Sequence, residues 1–462
     1  MAPAVPAGSA PQVPSAAAGR LADHGGCSHG ARCSTDVANR RVAPQHNAAM
    51  AFSESPSSSL GAVPALTARQ VALILFALTL GGFAIGTSEF AGMGLMPNMV
   101  ASLGVTEPQV GHLISAYALG VVVGAPLLAI LGAGWKRKTL LLALMGFYAL
   151  GNLASALGPT YESLLVFRFI AGLPHGAYFG VAALTAVAIS PPHRRGRAIS
   201  LVMLGLTLAI LIGNPLATWA GQFVDWRWVF AAVALIAFLT AVLLAIWLPA
   251  SVDGAKPRPL EELRAFNTAP VWQALGIGAI GFAGMFCVFS YLAPTMLQVT
   301  GASAAWIPLG LAGFGLGGVL GNFAGGWLFD RFRLRGVPVV LGWAMVMLLL
   351  FPLLAQWLPT LLLATVAIGT MGALGPILQS HLMDVAGDAQ TLAAASHHAA
   401  FNTANALGPW LGGMAITAGY GWTSTGMVGA AMALVGLLIY AWAVRTAQAP
   451  RRGLDAVAAC ET

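Results

Sequence analysis

The sequence predicts an all-α membrane protein of twelve transmembrane helices in two six-helix pseudo-repeats, and three observations predict it. Of 462 residues, 58% are hydrophobic and 8% charged, with a mean hydropathy of +0.80. A soluble domain averages about 25% charged residues, so this inventory cannot build a water-facing surface. From Val71 on, apolar runs of about 20–28 residues alternate with short polar connectors, the length a membrane helix needs, without the period-2 alternation of a β-barrel. Third, Lys and Arg are one-sided. From residue 67 onward there are 18, and 16 share one side, in Arg69, WKRK (135–138), HRRGR (193–197), the central linker, DRFRLR (330–335) and the tail. By the positive-inside rule both termini are then cytoplasmic. The net charge of +7 follows from this asymmetry and needs no nucleic acid.

Residues 1–66 are rich in Ala, Pro, Ser and Gly and are expected to be a disordered extension that cannot bury enough apolar surface to fold. Met50 opens a polar lead-in, MAFSESPSSS, and is a candidate natural start. The first six-helix bundle spans 67–250, with helices expected at about 71–97, 110–133, 139–157, 162–189, 199–222 and up to Pro249. A polar linker at 251–269 follows. The second bundle spans 270–445, with helices at about 270–298, 304–328, 336–357, 359–383, 392–415 and 424–444. Residues 446–462 form a cytoplasmic tail. The halves echo each other six helices apart: AGWKRK (133–138) against GGWLFDRFRLR (325–335), and LIGNPLATWAG (211–221) against ALGPWLGG (406–413). Such parallel repeats are one plan of secondary transporters.

Glu89 sits about two thirds of the way along the first apolar run, where a carboxylate is costly and by default works on a proton, an ion or a substrate. Arg168 is its counterpart in the fourth helix. At about 1.5 Å per residue, Glu89 lies roughly 12 Å and Arg168 roughly 9 Å from the outer ends of their helices, so their depths match. One reading is a structural ion pair that lets both helices insert; the other is coupling or substrate recognition. His175 follows Pro174 at a kink and is either a titratable group facing the cavity or a packed histidine. Phe282, Phe286 and Phe289 share a helical face with Tyr291 near, as core or as an aromatic cavity wall. Asn402 and Asn405 flank one helical turn and either line a cavity or bond neighbouring helices. Metal is not expected. Cys27, Cys33, His24 and His29 fit no standard zinc spacing, and His381, His397 and His398 lack carboxylates nearby.

GTSEF (86–90), LISAYALGVVVGAPLL (113–128), FRFIAGLPHGAYFG (167–180), MFCVFSYLAPTMLQVTG (285–301) and FNTANALGPWLGG (401–413) together resemble the twelve-helix drug:proton antiporters of the major facilitator superfamily. The likeness is to the branch of arabinose-efflux-permease-like and chloramphenicol-resistance-like exporters. The resemblance implies the major facilitator fold, and its helix 4 motif, matched by RFIAG (168–172), places Arg168 in proton transfer; together with the residue reading above, proton coupling is expected of Glu89, Arg168 and His175. A substrate cavity is expected to involve Tyr117, Tyr178, Phe282, Phe286, Tyr291, Asn402 and Asn405. The family's conformational motifs fall on Lys136, Arg137, Lys138, Gly172, Gly213, Pro215, Asp330 and Arg331. Asn214 stands where the family has Gly before Pro, and Ala133 or a neighbouring Gly where its first loop has Asp.

The expected function is proton-coupled efflux of a small amphipathic molecule by alternating access across a bacterial inner membrane. No G-x-x-x-x-G-K loop is present, so the proton gradient is the expected drive and no cofactor or catalysis is implied. Expected partners are the substrate, protons and lipid, with the chain a monomer. A sugar or nucleoside exporter of the same fold is the nearer alternative, and a non-transporting sensor or scaffold the more distant one.

Overall fold

The computed structural model describes residues 66–132, 134–191, 194–250, 252, 268–386 and 390–460. The N-terminal extension, Ala133 and nearly all of the linker lie outside the described residues. Among those described there is no strand, and twelve long helical segments follow one another. In the first half these are α1 (Ala68–Gly94), α2 (Glu107–Gly132), α3 (Arg137–Leu157), α4 (Tyr161–Ile189), α5 (Arg195–Ala220) and α6 (Arg227–Trp247). In the second half they are α7 (Ala269–Ser290), α8 (Ile307–Phe332), α9 (Gly336–Leu354), α10 (Leu358–Val385), α11 (Gln390–Ala415) and α12 (Ser424–Cys460). Among the described residues, ten stretches are long and apolar enough to cross a membrane, one of them holding both α8 and α9. The more polar α11, with His397, His398, Asn402 and Asn405, completes the twelve.

Local chemistry sets the ends. Thr67 and Gln70 form a reciprocal capping box at α1, and Thr160 and Ser163 do the same at α4, satisfying amides that have no partner within the helix. Four details depart from the sequence reading. The connector after α1 contains an eight-residue helix, Met96–Leu103, ended by Gly104 at φ 65°. α5 carries a π turn at Ala209–Gly213, because the Pro215 ring has no amide to give and crowds the preceding turn. α7 carries one at Ile277–Gly281, breaks at Tyr291 and resumes as Leu292–Gln298. Finally, α12 runs on to Cys460 instead of ending near 444, continuing past Pro450 and Gly453.

The repeat is visible in packing. A Cβ on Gly120 of α2 would overlap the Phe169 carbonyl and stand 3.2 Å from Gly172 Cα of α4. Six helices on, a Cβ on Gly317 of α8 would overlap the Val366 carbonyl and stand 2.8 Å from Gly369 Cα of α10. Both halves therefore share a glycine-to-glycine crossing at equivalent helices, close enough that no side chain fits. Burial is inverted relative to a soluble protein. Phe76, Leu235, Phe323 and Leu353 are exposed around the outside, while Ser88, Glu89, Asn152, Arg168, Asn214 and Asn405 are buried within.

Successive helices alternate in direction, so the loops fall on a terminus side and a far side. On the far side the halves are sealed together. Ser115 of α2 donates to the Ala406 carbonyl of α11 at 2.8 Å, and Gln222 after α5 donates to the Ala304 carbonyl before α8 at 2.9 Å. A Cβ on Gly413 would stand 3.3 Å from Pro108 Cβ. On the terminus side Phe179 of α4 stacks on His398 of α11, with centroids 5.7 Å apart.

Candidate functional site

Glu89 and Arg168 are both buried, in the far-side parts of α1 and α4, yet they are not an ion pair: no oxygen–nitrogen approach between them falls within 4.0 Å. The structural ion pair is therefore corrected. Arg168 is satisfied by other groups, its two guanidinium nitrogens donating to Ser88 Oγ and to the Ser88 carbonyl, each at 2.9 Å. Its planar cation also lies over the Tyr117 ring at 4.3 Å and the Phe230 ring at 4.9 Å. Guanidinium suits this setting because its fork matches two acceptors and its faces stack on rings. Ser88 Oγ in turn donates to Asn152 Oδ1 of α3, and Asn152 Nδ2 donates to the Tyr148 carbonyl at 2.9 Å.

Glu89 instead reaches across to the second half. Asn405 Nδ2 of α11 donates to Glu89 Oε1 at 3.0 Å. Glu89 Oε2 and Asn405 Oδ1 are buried without a partner.

His175 belongs to a hydrogen-bonded chain with a forced direction. The Ile85 carbonyl can only accept, so Tyr148 donates its proton there at 3.2 Å. Tyr117 must then donate to Tyr148 at 3.1 Å, and His175 must hold its proton on Nδ1 and donate to Tyr117 at 3.1 Å. This ties α4, α2, α3 and α1 together and holds His175 away from the cavity below.

A cavity of about 350 Å³ opens between the halves on the terminus side of Glu89. Its aromatic wall is Phe90, Phe282, Phe286, Phe289, Phe314 and Phe401. Its polar groups are Thr207, Asn322, Gln379, Ser380, His397 and His398, and no Asp, Glu, Lys or Arg lines it among the described residues. Of the expected cavity residues, Phe282 and Phe286 line it, and Phe401 packs on both at 4.8 and 5.3 Å between centroids. Tyr117, Tyr178, Tyr291, Asn402 and Asn405 do not line it. Tyr178 donates to the Leu78 carbonyl at 2.7 Å, tying α4 to α1. Tyr291 donates to the Pro409 carbonyl at 2.7 Å and fills the space left by Gly111 and Gly413, so it belongs to the far-side seal. Asn402 Nδ2 donates to the His398 carbonyl.

The motif residues lie at helix ends and crossings. Lys136 precedes α3, Arg137 donates to the Leu184 carbonyl at 3.3 Å, and Lys138 donates to the Ala245 carbonyl at 2.6 Å, pinning the base of α3 to α4 and α6. Gly172 is the crossing partner of Gly120, and Gly213 leaves room for Thr87. Pro215 follows the π turn beside buried Asn214, whose amide is unpartnered. Asp330 and Arg331 are exposed at the end of α8; the ion pair there joins Arg333, at φ 51°, to Asp384 at 3.5 Å. No group of three or more metal-ligating side chains occurs among the described residues. Sequence reasoning missed Ser88, Tyr148 and Asn152, although Tyr148 and Asn152 stand one turn apart on α3, a spacing that could have marked them.

Comparison with known proteins agrees with this architecture. The model of the Major Facilitator Superfamily matches residues 78–310 and 274–459. The inner membrane transport protein YdhP of Escherichia coli (strain K12) is 37% identical over 369 residues, covering 79% of this chain and 94% of that protein. A chloramphenicol resistance protein of Streptomyces lividans is 33% identical over 351 residues, covering 73% and 87%. A crystal structure of a bacterial homolog of the human lysosomal transporter Spinster, inward-facing and occupied, superposes with a TM-score of 0.66 at 17% identity, covering 82% of this chain and 98% of that one. Two six-helix halves, glycine crossings repeated between them and a family match along nearly all of the helical region lead to one assignment: the chain is a transporter of the Major Facilitator Superfamily.

Proposed function

We propose that the chain exports small, neutral, amphipathic molecules with an aromatic part across a bacterial inner membrane, in exchange for protons. Both termini are on the cytoplasmic side, where the Lys and Arg of the loops collect. The observation that carries the reading is Glu89: a buried carboxyl at the seam between the halves, beside the closed end of an aromatic cavity. A membrane-embedded carboxyl without an ion-pair partner is suited to gain and lose a proton as the halves rock.

The cavity supports the substrate class. Phenyl rings on several helices offer stacking faces, and the carboxamides and imidazoles offer a few orienting hydrogen bonds. A cation bound there would meet no carboxylate on the lining, so neutral solutes are favoured. One proton entering across about 100 mV supplies about 2.3 kcal/mol, enough for roughly a 50-fold gradient of a neutral solute. The reading is tested in a host deleted for its own efflux pumps, by comparing resistance to neutral phenyl-bearing antibiotics, cationic dyes and pentose analogues. Protection confined to the neutral aromatic set supports it. Protection against none of them, with the protein present in the membrane, overturns it.

A further inference from the structure

Glu89 and Asn405 each leave one oxygen buried and unpartnered while sharing a single hydrogen bond across the halves. An ionised carboxylate accepts only, and a carboxamide oxygen accepts only, so without a proton Oε2 and Oδ1 have nothing to offer each other. A single proton on Oε2 removes both deficits. The acid O–H donates to Asn405 Oδ1 while Asn405 Nδ2 continues to donate to Oε1, closing a two-bond acid–amide ring. Resting on the proposed coupling role of Glu89, we infer that Asn405 is the positioning residue through which the proton on Glu89 latches the two halves shut on the far side.

The titratable groups packed around this pair are engaged elsewhere or lie at other depths. From α4, Arg168 is committed to Ser88, and His175 to Tyr117. Tyr117 of α2 and Tyr148 of α3 pass their protons toward the Ile85 carbonyl. On α7, Tyr291 is bonded to Pro409, and Cys287 is buried. On α11 itself, His397 and His398 lie nearer the terminus side, facing the cavity, and α5, α6 and α8 place no titratable residue at this depth. The Ser115 and Gln222 bonds and the Tyr291 contacts that complete the seal carry no exchangeable charge. Glu107 and His112 also lie in the far-side turn of α2, but His112 Nδ1 meets the Tyr161 hydroxyl within the same half at 3.2 Å, so among the far-side bonds described the Glu89–Asn405 link is the one that joins the halves through a titratable side chain.

In the cycle, the O–H bond at Oε2 forms when a proton arrives from far-side water, and the ring then favours closure on that side. When the proton leaves to terminus-side water the ring opens, one hydrogen bond is lost, and two buried acceptors remain. That state favours parting of α1 from α11. Buried acceptors left unsatisfied are costly, which gives the switch its direction.

The test uses full-length protein in nanodiscs with native cysteines replaced by Ser, and spin labels at Ser102→Cys and Ser303→Cys on the far-side connectors of the two halves. The long-distance fraction is read as a function of pH. The parent should shift from short to long distances as pH rises, and Glu89→Gln, whose amide can donate to Asn405, should stay short throughout. Asn405→Leu should raise the open-to-closed ratio at low pH roughly tenfold and flatten the transition. Asn405→Ser, a smaller polar change, should do so in part if the leucine variant does not fold. The swap Glu89→Gln with Asn405→Asp exchanges acid and amide at equal total length, and it should restore a pH-dependent transition. An unchanged transition in Asn405→Leu or Asn405→Ser overturns the latch, as does a well-folded swap that stays flat. Were Glu89→Gln to keep the parent transition, the coupling role of Glu89 would fail first.

Discussion

Ser88→Ala isolates the contact on which the placement of Arg168 depends. Ser88 Oγ accepts from an Arg168 nitrogen at 2.9 Å and donates to Asn152 Oδ1. Removing it forfeits one charge-assisted hydrogen bond, about 1.5–3 kcal/mol, and one neutral bond, about 0.5–1.5 kcal/mol, so roughly 2–4.5 kcal/mol in total. Spread over a six-helix half, at about 2–4 °C per kcal/mol, this lowers the unfolding midpoint by roughly 4–18 °C. Glu89→Gln leaves every Arg168 contact in place and should shift the midpoint little. The assay is thermal unfolding of purified protein in detergent, followed by loss of the monodisperse peak. An unshifted midpoint in Ser88→Ala, or a fall in Glu89→Gln as large as the one expected for Ser88→Ala, would mean that Arg168 pairs with the carboxylate instead, and the geometry argued above would be wrong.

Three further outcomes follow from other parts of the molecule. Gly172→Val should sharply reduce folded protein in the membrane, because its side chain would meet Tyr117 backbone that cannot yield; membrane yield and thermostability read this. Phe401→Ala should weaken binding of a neutral aromatic substrate about 2- to 12-fold, from the loss of about 0.5–1.5 kcal/mol of ring contact, with proton coupling intact; equilibrium binding and transport stoichiometry separate the two. Fusion of a fluorescent protein after Cys460 should give fluorescent cells, while alkaline phosphatase at the same place should be inactive, because the positive loops share the side of the termini.

The helix count, the repeat and the two isolated membrane charges were legible because they are properties of runs and of composition. A lone Glu or Arg in an apolar helix stands out without any knowledge of its neighbours. Their partners were not legible. The partner of Glu89 lies 316 positions away, and an Asn in an apolar helix reads equally as cavity wall or as helix contact. Equal depth suggested that Glu89 faces Arg168, but adjacent residues on a helix point about 100° apart, and it is Ser88 that meets Arg168. The tyrosines were misjudged as cavity lining because a hydroxyl on an apolar helix says that it needs a partner and not which one. For Tyr117 the partners are Tyr148 and His175, and for Tyr178 and Tyr291 a backbone carbonyl on another helix. The π turns depend on packing as well as on local residues, so only the one before Pro215 had a local signal.

The central claim, that Glu89 couples proton entry to export, is tested most directly in proteoliposomes with an imposed proton gradient and a neutral aromatic substrate. Glu89→Gln should bind substrate and exchange it for substrate across the membrane, yet fail to move it uphill. Uphill transport by Glu89→Gln at the parent rate and with the parent pH dependence would contradict the account.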